Sequence, residues 1–409
     1  MRKLTPYIAC AITLLLLFTT NILHSQETHK EVVDIVKVAE IIDNKTEEKE
    51  NKNLRFSILG GPGYTPDYGF LVGGSALMTF DLPGMKGFER RSVMPVAFSL
   101  SFSNGVNFSM LVRPQLFMKK DHIRLTGEFI YSNLASNYYG VGYNKNKETE
   151  RGAETTQYFN SQININPILL FRLGESDWFL GPTFHLQNDK ITDPSLGMTL
   201  NDDYIRVGGT QSGFQTLNSA LGFSVNYDSR DVPANAYSGI YFDVKGLVYG
   251  GYLGGDFAYQ QLQIKYRQYT QLSKNKVGRT LAWSVYSDNI FGDAPFTRLS
   301  TVGSPFDLRG YYQGQYRDNS AHVAMVEYRH KFQMDPVNFW SKVGNRLGFT
   351  VWMGSGLLGP SPFEIEGVLP NYGAGLRIEM QPRMNFRVDV GYSPIEKQTL
   401  VYLNMTEAF

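Results

Sequence analysis

From Arg55 to Phe409 one pattern recurs: runs of about ten residues in which apolar and polar side chains alternate, broken by glycine, proline, asparagine or charged loops. In HIRLTGEFIY, Ile123, Leu125, Phe129 and Tyr131 fall on one face while Arg124, Thr126 and Glu128 fall on the other. In SALGFSVNYD, Leu221, Phe223, Val225 and Tyr227 oppose Ser224, Asn226 and Asp228. The same holds for YQQLQIKYRQ, VAMVEYRHKF and, near the end, NFRVDVGY. A period of two is the period of a strand, whose successive side chains point to opposite faces. A soluble sheet turns its polar face to water and has little need of charges in mid-strand on one strand after another. A transmembrane barrel has that need, because lipid lies outside and a wet, charged lumen inside.

After the first 25 residues no window approaches the roughly 18 to 20 consecutive apolar residues of a spanning helix. If the chain is integral to a membrane, it therefore crosses with strands. The abundance of glycine (40), tyrosine (25) and phenylalanine (27) suits strands with aromatic girdles. The pattern predicts an all-β fold, a transmembrane antiparallel β-barrel of about sixteen strands over residues 55–409. Charged insertions such as YNKNKETERGAETTQ fall on its outer side, and the even count places both ends in the periplasm.

The first residues, MRKLTPYIACAITLLLLFTTNILHSQ, carry Arg2 and Lys3 before an apolar run and read as a secretory signal over residues 1–25. The single cysteine, Cys10, lies within that run, so the mature chain forms no disulfide. Residues 26–54 hold no Phe, Tyr or Trp and end in a charge run. They read as a flexible periplasmic linker, with Val32, Ile35, Val36, Ala39 and Ile42 at nearly helical spacing as a marginal helix at most.

Lysine and arginine total 39 against 38 acidic residues, which leaves no net field to draw in nucleic acid. Enzyme motifs are missing: no His-Glu-x-x-His helix, no Gly-x-Ser-x-Gly elbow and no phosphate loop. The six histidines are scattered, and NDDY at Asn201–Tyr204 reads as a solvated loop in preference to a calcium site. The expectation is a protein that is not an enzyme, with no cofactor and no metal.

Three segments carry more meaning. GSPFDLRGYYQGQYRD, Gly303–Asp318, falls in a long loop of about residues 291–319 between the eleventh and twelfth strands. YDSRDVPANAYSG, Tyr227–Gly239, holds Asp228, Arg230, Asp231, Pro233, Ser238 and Gly239 in a turn. YGAGLRIEMQPRMNFRVDVGYSP leads into the last strand, LVYLNMTEAF, in which Val401, Leu403, Met405 and Phe409 fall on one face, interrupted by Glu407.

On these segments the chain resembles the bacterial surface antigen superfamily of outer-membrane barrels, which includes the BamA and TamA insertases and the two-partner secretion transporters. The resemblance implies that the long loop folds back into the lumen, anchored by Arg309, Gly310 and Tyr311. It implies a tight periplasmic turn at Asp228, Arg230, Asp231 and Gly239, with the arginine and aspartates pairing locally. It also implies a C-terminal sorting signal at Val401, Leu403, Met405 and Phe409, recognised by the barrel-assembly machinery. Family members often offer a carboxylate to the loop arginine from the strand that here reads RLGFTVWMGSG, and Trp352 occupies the acidic position. Glu327, Glu379 and Asp389, each on a late strand with inward parity, are the alternative partners.

Members that fold or translocate proteins carry periplasmic polypeptide-transport-associated (POTRA) domains before the barrel. Residues 26–54 fall short of the roughly 40 residues a stand-alone fold needs. The expected function is an accessory insertion or translocation barrel without substrate-docking domains. Its partners would be outer-membrane lipid, the assembly machinery for its own insertion, and other outer-membrane or secreted proteins. The alternative is a passive or loop-plugged pore, or a membrane anchor for a partner complex.

Overall fold

The structure, a computed structural model, describes residues 54–82, 91–103, 105–233, 235–273, 275–335 and 337–409. The expected signal and linker lie outside the described residues, except that Leu54 already belongs to the first strand. That strand is β1, Leu54–Thr65, followed by β2 Gly69–Phe80, β3 Ser92–Ser101, β4 in two pieces, β5 Ile123–Asn137, β6 Gln157–Arg172, β7 Trp178–Thr192 and β8 Phe214–Asp228. The second half comprises β9 Gly239–Tyr249, β10 Tyr259–Gln271, β11 Arg279–Gly292, β12 Ser320–Lys331, β13 Leu347–Gly359, β14 Gly367–Gln381, β15 Met384–Ser393 and β16 Gln398–Met405. The pieces of β4 are Asn107–Val112 and Gln115–Met118, both pairing with β3 and β5. Pro114 lies in the gap between them, where a residue without an N–H cannot donate to the ladder.

Each strand pairs antiparallel with its neighbours in sequence, and β1 meets β16, so sixteen staves close into a barrel. The alternation has its expected consequence. Phe70, Val72, Leu221, Phe223, Met353, Tyr372 and Val390 are exposed on the outer face, as lipid requires. The opposite parity buries Gln187, Asp189, Asn218, Gln261, Asp288, Glu327 and Asp389. No described helix is long and apolar enough to cross a membrane.

The two closing strands differ from the rest of the wall. β1 is in register with β2 along its whole length, Leu54↔Phe80 to Thr65↔Gly69, but with β16 only at Tyr64↔Leu403. Its sequence explains the thinness of this seam, since Gly60, Gly61, Pro62 and Gly63 supply no side chain to pack across it or, at Pro62, no N–H to donate.

The connection from β11 to β12 is not a free loop. Ser300–Val302 pairs antiparallel with Tyr316–Asp318, forming a small hairpin whose tip carries Pro305 to Gly314. Tyr143–Glu148, between β5 and β6, forms a short helix, α1, and Asn146 in it accepts from Arg317 N at 2.7 Å.

Candidate functional site

The tip of that hairpin sets Arg309 among side chains of the late strands. Arg309 is wholly buried, and its Nη1 donates to Asp389 Oδ2 at 2.8 Å while Nη2 donates to Glu327 Oε1. Its Cζ lies 3.6 Å from the centroid of the Trp352 ring. A guanidinium is both a donor fork and a flat, weakly hydrated cation, so it can hold two carboxylates at its edge and stack on an indole with its face. The substitution of tryptophan at the expected acidic position thus changes the kind of contact: β13 gives the stack, and the carboxylates come from β12 and β15.

The backbone around Arg309 is also held. Asn371 Nδ2 donates to Arg309 O at 2.9 Å, Gly310 N donates to Tyr402 Oη at 2.9 Å, and Gln398 Nε2 donates to Gly310 O at 3.0 Å. Tyr311 is buried and donates its hydroxyl to Pro370 O at 2.8 Å. Gly310 has φ +112, a region that L side chains rarely adopt, and a Cβ there would come within 2.8 Å of the Tyr392 backbone. Glycine is required at this position for two separate reasons.

Glu379 is not a partner of Arg309, contrary to its parity-based candidacy. It pairs with Lys331 and accepts from Arg383 N at 3.1 Å. It shares its face with Arg377 but stands near the β14–β15 turn. The residue of β14 facing Asp389 is Gly375, four positions back, which at about 3.3 Å per residue is some 13 Å along the strand. Parity selects a face; it does not select a height.

Three arginines that the sequence reading did not single out complete the site. Arg329 donates from Nε to Glu327 Oε2 at 3.0 Å, Arg377 from Nη1 to Asp389 Oδ1 at 2.6 Å, and Arg387 from Nη1 to Asp389 Oδ2 at 2.6 Å. Arg387 Nη2 also reaches Pro305 O in the hairpin tip at 2.7 Å. The signal for two of them was present: Glu327 with Arg329 and Arg387 with Asp389 stand two apart on one strand, which puts both charges on one face.

The last residues depart from expectation. Val401, Leu403 and Met405 keep the outward parity of β16, but Phe409 does not share their face. Thr406 has φ +66, which turns the chain after Met405 and carries Glu407, Ala408 and Phe409 into buried positions. The Phe409 ring lies under Arg329 Cζ, 5.1 Å from the centroid, and Phe409 O accepts from Arg329 Nη2 at 2.9 Å. Glu407 accepts from Arg377 Nε at 2.9 Å and from Asn385 Nδ2 at 2.6 Å. Burial alone would raise the Glu407 carboxyl, but Arg377 and Arg329 outweigh it and hold the group below the usual carboxylate range. For Asp307 in the hairpin tip the balance is reversed: burial outweighs its hydrogen bonds from Ser304, Leu308 and Gly303 and the pull of Arg309, and pushes the carboxyl up to about 6.

The turn after β8 closes on itself: Arg230 Nε and Nη2 donate to Asp228 Oδ1 and Oδ2 at 2.8 and 2.9 Å. Asp231 Oδ1 accepts from Val232 N at 2.8 Å and Tyr237 N at 3.0 Å, and Oδ2 reaches across to Arg383 Nη2 at 2.8 Å. Gly239 has φ +107, and a Cβ would lie 2.4 Å from Ser229 O. Asn201 of NDDY caps the short helix Asp202–Arg206, α2, by accepting from Asp203 N and Tyr204 N. Among the described residues no group of three or more His, Cys, Asp or Glu is placed to hold a metal ion.

Between the hairpin and strands β5–β7, β10 and β11 lies a polar cavity of about 490 Å³, lined by Asn160, Gln187, Gln261, Asp288, Arg298 and Arg317 among others. Arg298 spans it, donating to Tyr249 Oη at 3.0 Å, Gln261 Oε1 at 3.1 Å and Tyr259 Oη at 3.2 Å.

Residues 95–399 match the Omp85 superfamily domain. No curated protein matches the sequence. Among solved structures the chain is similar to BamA from Haemophilus ducreyi lacking POTRA domains 1–3, with a TM-score of 0.58 at 14% identity over 88% of this chain and 71% of that one. It is similar also to CdiB from Acinetobacter baumannii (TM-score 0.52, 12% identity, 87% of this chain and 60% of that one). For CdiB from Escherichia coli the values are 0.53 and 12%, over 88% of this chain and 63% of that one. At such identities the likeness is one of fold.

Proposed function

The chain belongs to the Omp85 superfamily of outer-membrane barrels, and on that premise we propose that it is an accessory insertion or translocation barrel whose β1–β16 seam opens to a substrate strand while the Arg309 hairpin closes the lumen. The observation that carries this reading is the seam, held in register at Tyr64↔Leu403 alone. A strand edge with unspent N–H and C=O groups is a template for an incoming strand, which adds by β-augmentation. The hairpin acts as a plug, locked by Arg309 on Asp389, Glu327 and Trp352. The protein performs no covalent chemistry in this reading; its work is done by strand exchange and by sealing.

Its partners are the outer-membrane lipid around the apolar face, the assembly machinery that inserts it through β16, and other outer-membrane or secreted proteins as substrates. Residues 26–54 would lie in the periplasm as a tether.

A second reading, a loop-plugged pore, is favoured by the polar cavity beside the hairpin. Deleting the gene in its native host and quantifying the outer-membrane proteome separates the two. Selective loss of particular barrels or surface proteins is expected for an insertion or translocation role. An unchanged proteome, with ion conductance appearing in bilayers once the hairpin is deleted, would leave the pore.

A further inference from the structure

The ion pairs at the hairpin tip and those at the tail after β16 form one closed circuit. Starting from Arg309, the pairs run to Glu327, from Glu327 to Arg329 at 3.0 Å, and from Arg329 to Glu407 at 3.9 Å. They return from Glu407 to Arg377 at 2.9 Å, from Arg377 to Asp389 at 2.6 Å, and from Asp389 to Arg309 at 2.8 Å. Arg387 joins at Asp389. All seven side chains are buried.

We propose that this circuit couples the tail to the hairpin, so that withdrawing Glu407 from the barrel weakens the grip on Arg309. The inference rests on the seam-opening reading and adds a regulation to it: the strand that opens the seam is the strand that carries the latch. Four guanidinia share three side-chain carboxylates, so no carboxylate is spare. When Glu407 leaves, the carboxylates left to Arg329 and Arg377 are Glu327 and Asp389, the two groups that hold Arg309. They compete with Arg309 for those oxygens in a medium where an uncompensated buried cation is costly.

The mechanical link is short. Glu407 stands two residues past Met405, the end of β16, and the intervening Thr406 fixes the turn with its left-handed backbone. A shift of the end of β16 as it parts from β1 therefore moves Glu407 relative to Arg377 on β14. The hairpin has its own hold on the same strand through Tyr402 and Gln398, so a displaced β16 removes neutral hydrogen bonds and the charge latch together.

Coupling of this kind is reciprocal, which gives the test two independent arms. The full chain is reconstituted in lipid nanodiscs and amide hydrogen exchange is followed. In Glu407→Gln, whose side-chain hydrogen bonds go to Arg377 and Asn385 and not to the hairpin, exchange across residues 303–318 is expected to rise at least about fivefold, the lower end of ordinary coupling. In Arg309→Ala, exchange across residues 404–409 is expected to rise by a similar factor. A Glu407→Gln barrel whose hairpin exchanges at the parent rate overturns the proposal. Where that variant cannot be inserted, an Arg309→Ala barrel with an unchanged tail overturns it equally. Neither arm depends on the substrate, so the coupling can hold while the proteome experiment fails, or the reverse.

Discussion

Replacing Arg309 by alanine is expected to free the hairpin at residues 293–319 while the barrel stays closed. Arg309 lies between two strands' carboxylates with its own side chain fully buried, and its removal takes from the hairpin its charged bonds to Glu327 and Asp389, which stay paired with Arg329 and with Arg377 and Arg387. Losing two hydrogen bonds to charged groups, at about 1.5 to 3 kcal/mol each, weakens the hold on the hairpin by about 3 kcal/mol or more, which at roughly 1.4 kcal/mol per decade is a hundredfold or more in the population of the released hairpin. The wall is indifferent to the change, because no β11–β12 or β12–β13 ladder pair includes Arg309. Limited trypsin digestion reads the effect directly, since Arg317 lies in the hairpin and Arg298 just before it, and Arg298 is held by Tyr249, Gln261 and Tyr259 of the wall in the parent. Arg309→Lys is expected to rescue little. A lysine places one point charge where the fork spans Asp389 and Glu327, and it lacks the flat face that lies 3.6 Å from Trp352. Cleavage in Arg309→Ala at the parent rate would mean that the backbone contacts of Asn371, Tyr402 and Gln398 suffice without the charge.

The second large effect needs no change in the hairpin at all. Gly391 of β15 faces the tip so closely that a Cβ would stand 2.6 Å from both C and O of Arg309 and 2.9 Å from its Cβ. The first two of these are backbone atoms and cannot swing aside. Gly391→Ala is therefore expected to unseat the hairpin nearly as fully as removing the arginine, with a comparable rise in trypsin cleavage. The backbone of Gly391 is not in the left-handed region, so β15 itself accepts alanine. Gly246 of β9 supplies the control, because a Cβ there meets nothing within 4 Å and Gly246→Ala should leave cleavage unchanged. Equal behaviour of the two variants would show that the tip does not sit against β15 as described.

These two residues also mark what a sequence can and cannot disclose here. The strands are legible because a period of two runs clearly through several staves, among them β5, β8, β10, β12 and β15, and the Arg-Gly-Tyr tip is legible because a glycine with positive φ beside an arginine in an aromatic segment is an unusual local demand. Faces were legible as well: Glu327, Glu379 and Asp389 all point to the buried side. Height along the wall was not, since it depends on how sixteen registers add up, and so Glu379 stood among the candidates although it belongs to Lys331. The glycines at 356, 373, 375 and 391 were a signal in plain view. They share the buried parity of β13, β14 and β15, and side chains there would fill the space taken by Leu308, Val302, Trp352, Asp389 and Arg309.

The tail was misread for a different reason. Alternation carried past Met405 puts Phe409 outward, and nothing in Thr406 announces a left-handed residue, because a β-branched side chain disfavours that region. What holds it there is tertiary: Glu407 reaching Arg377 and Asn385, and Phe409 packed beneath Arg329. Local propensity lost to a buried network, and the network was invisible until Arg329 and Arg377 were placed at the same height as Glu407.

The central claim is that the seam must open for the protein to act. Tyr64 and Leu403 face each other across it, and paired residues in an antiparallel ladder have Cα atoms about 4.5 to 5.5 Å apart, within reach of a disulfide. Cys10 is the chain's single cysteine, so Tyr64→Cys with Leu403→Cys introduces one defined bridge. The measurement is restoration of the outer-membrane proteome in the deletion strain by this double variant, oxidised and then reduced. Restoration only after reduction is the predicted result; full restoration by the oxidised, closed barrel would contradict the account.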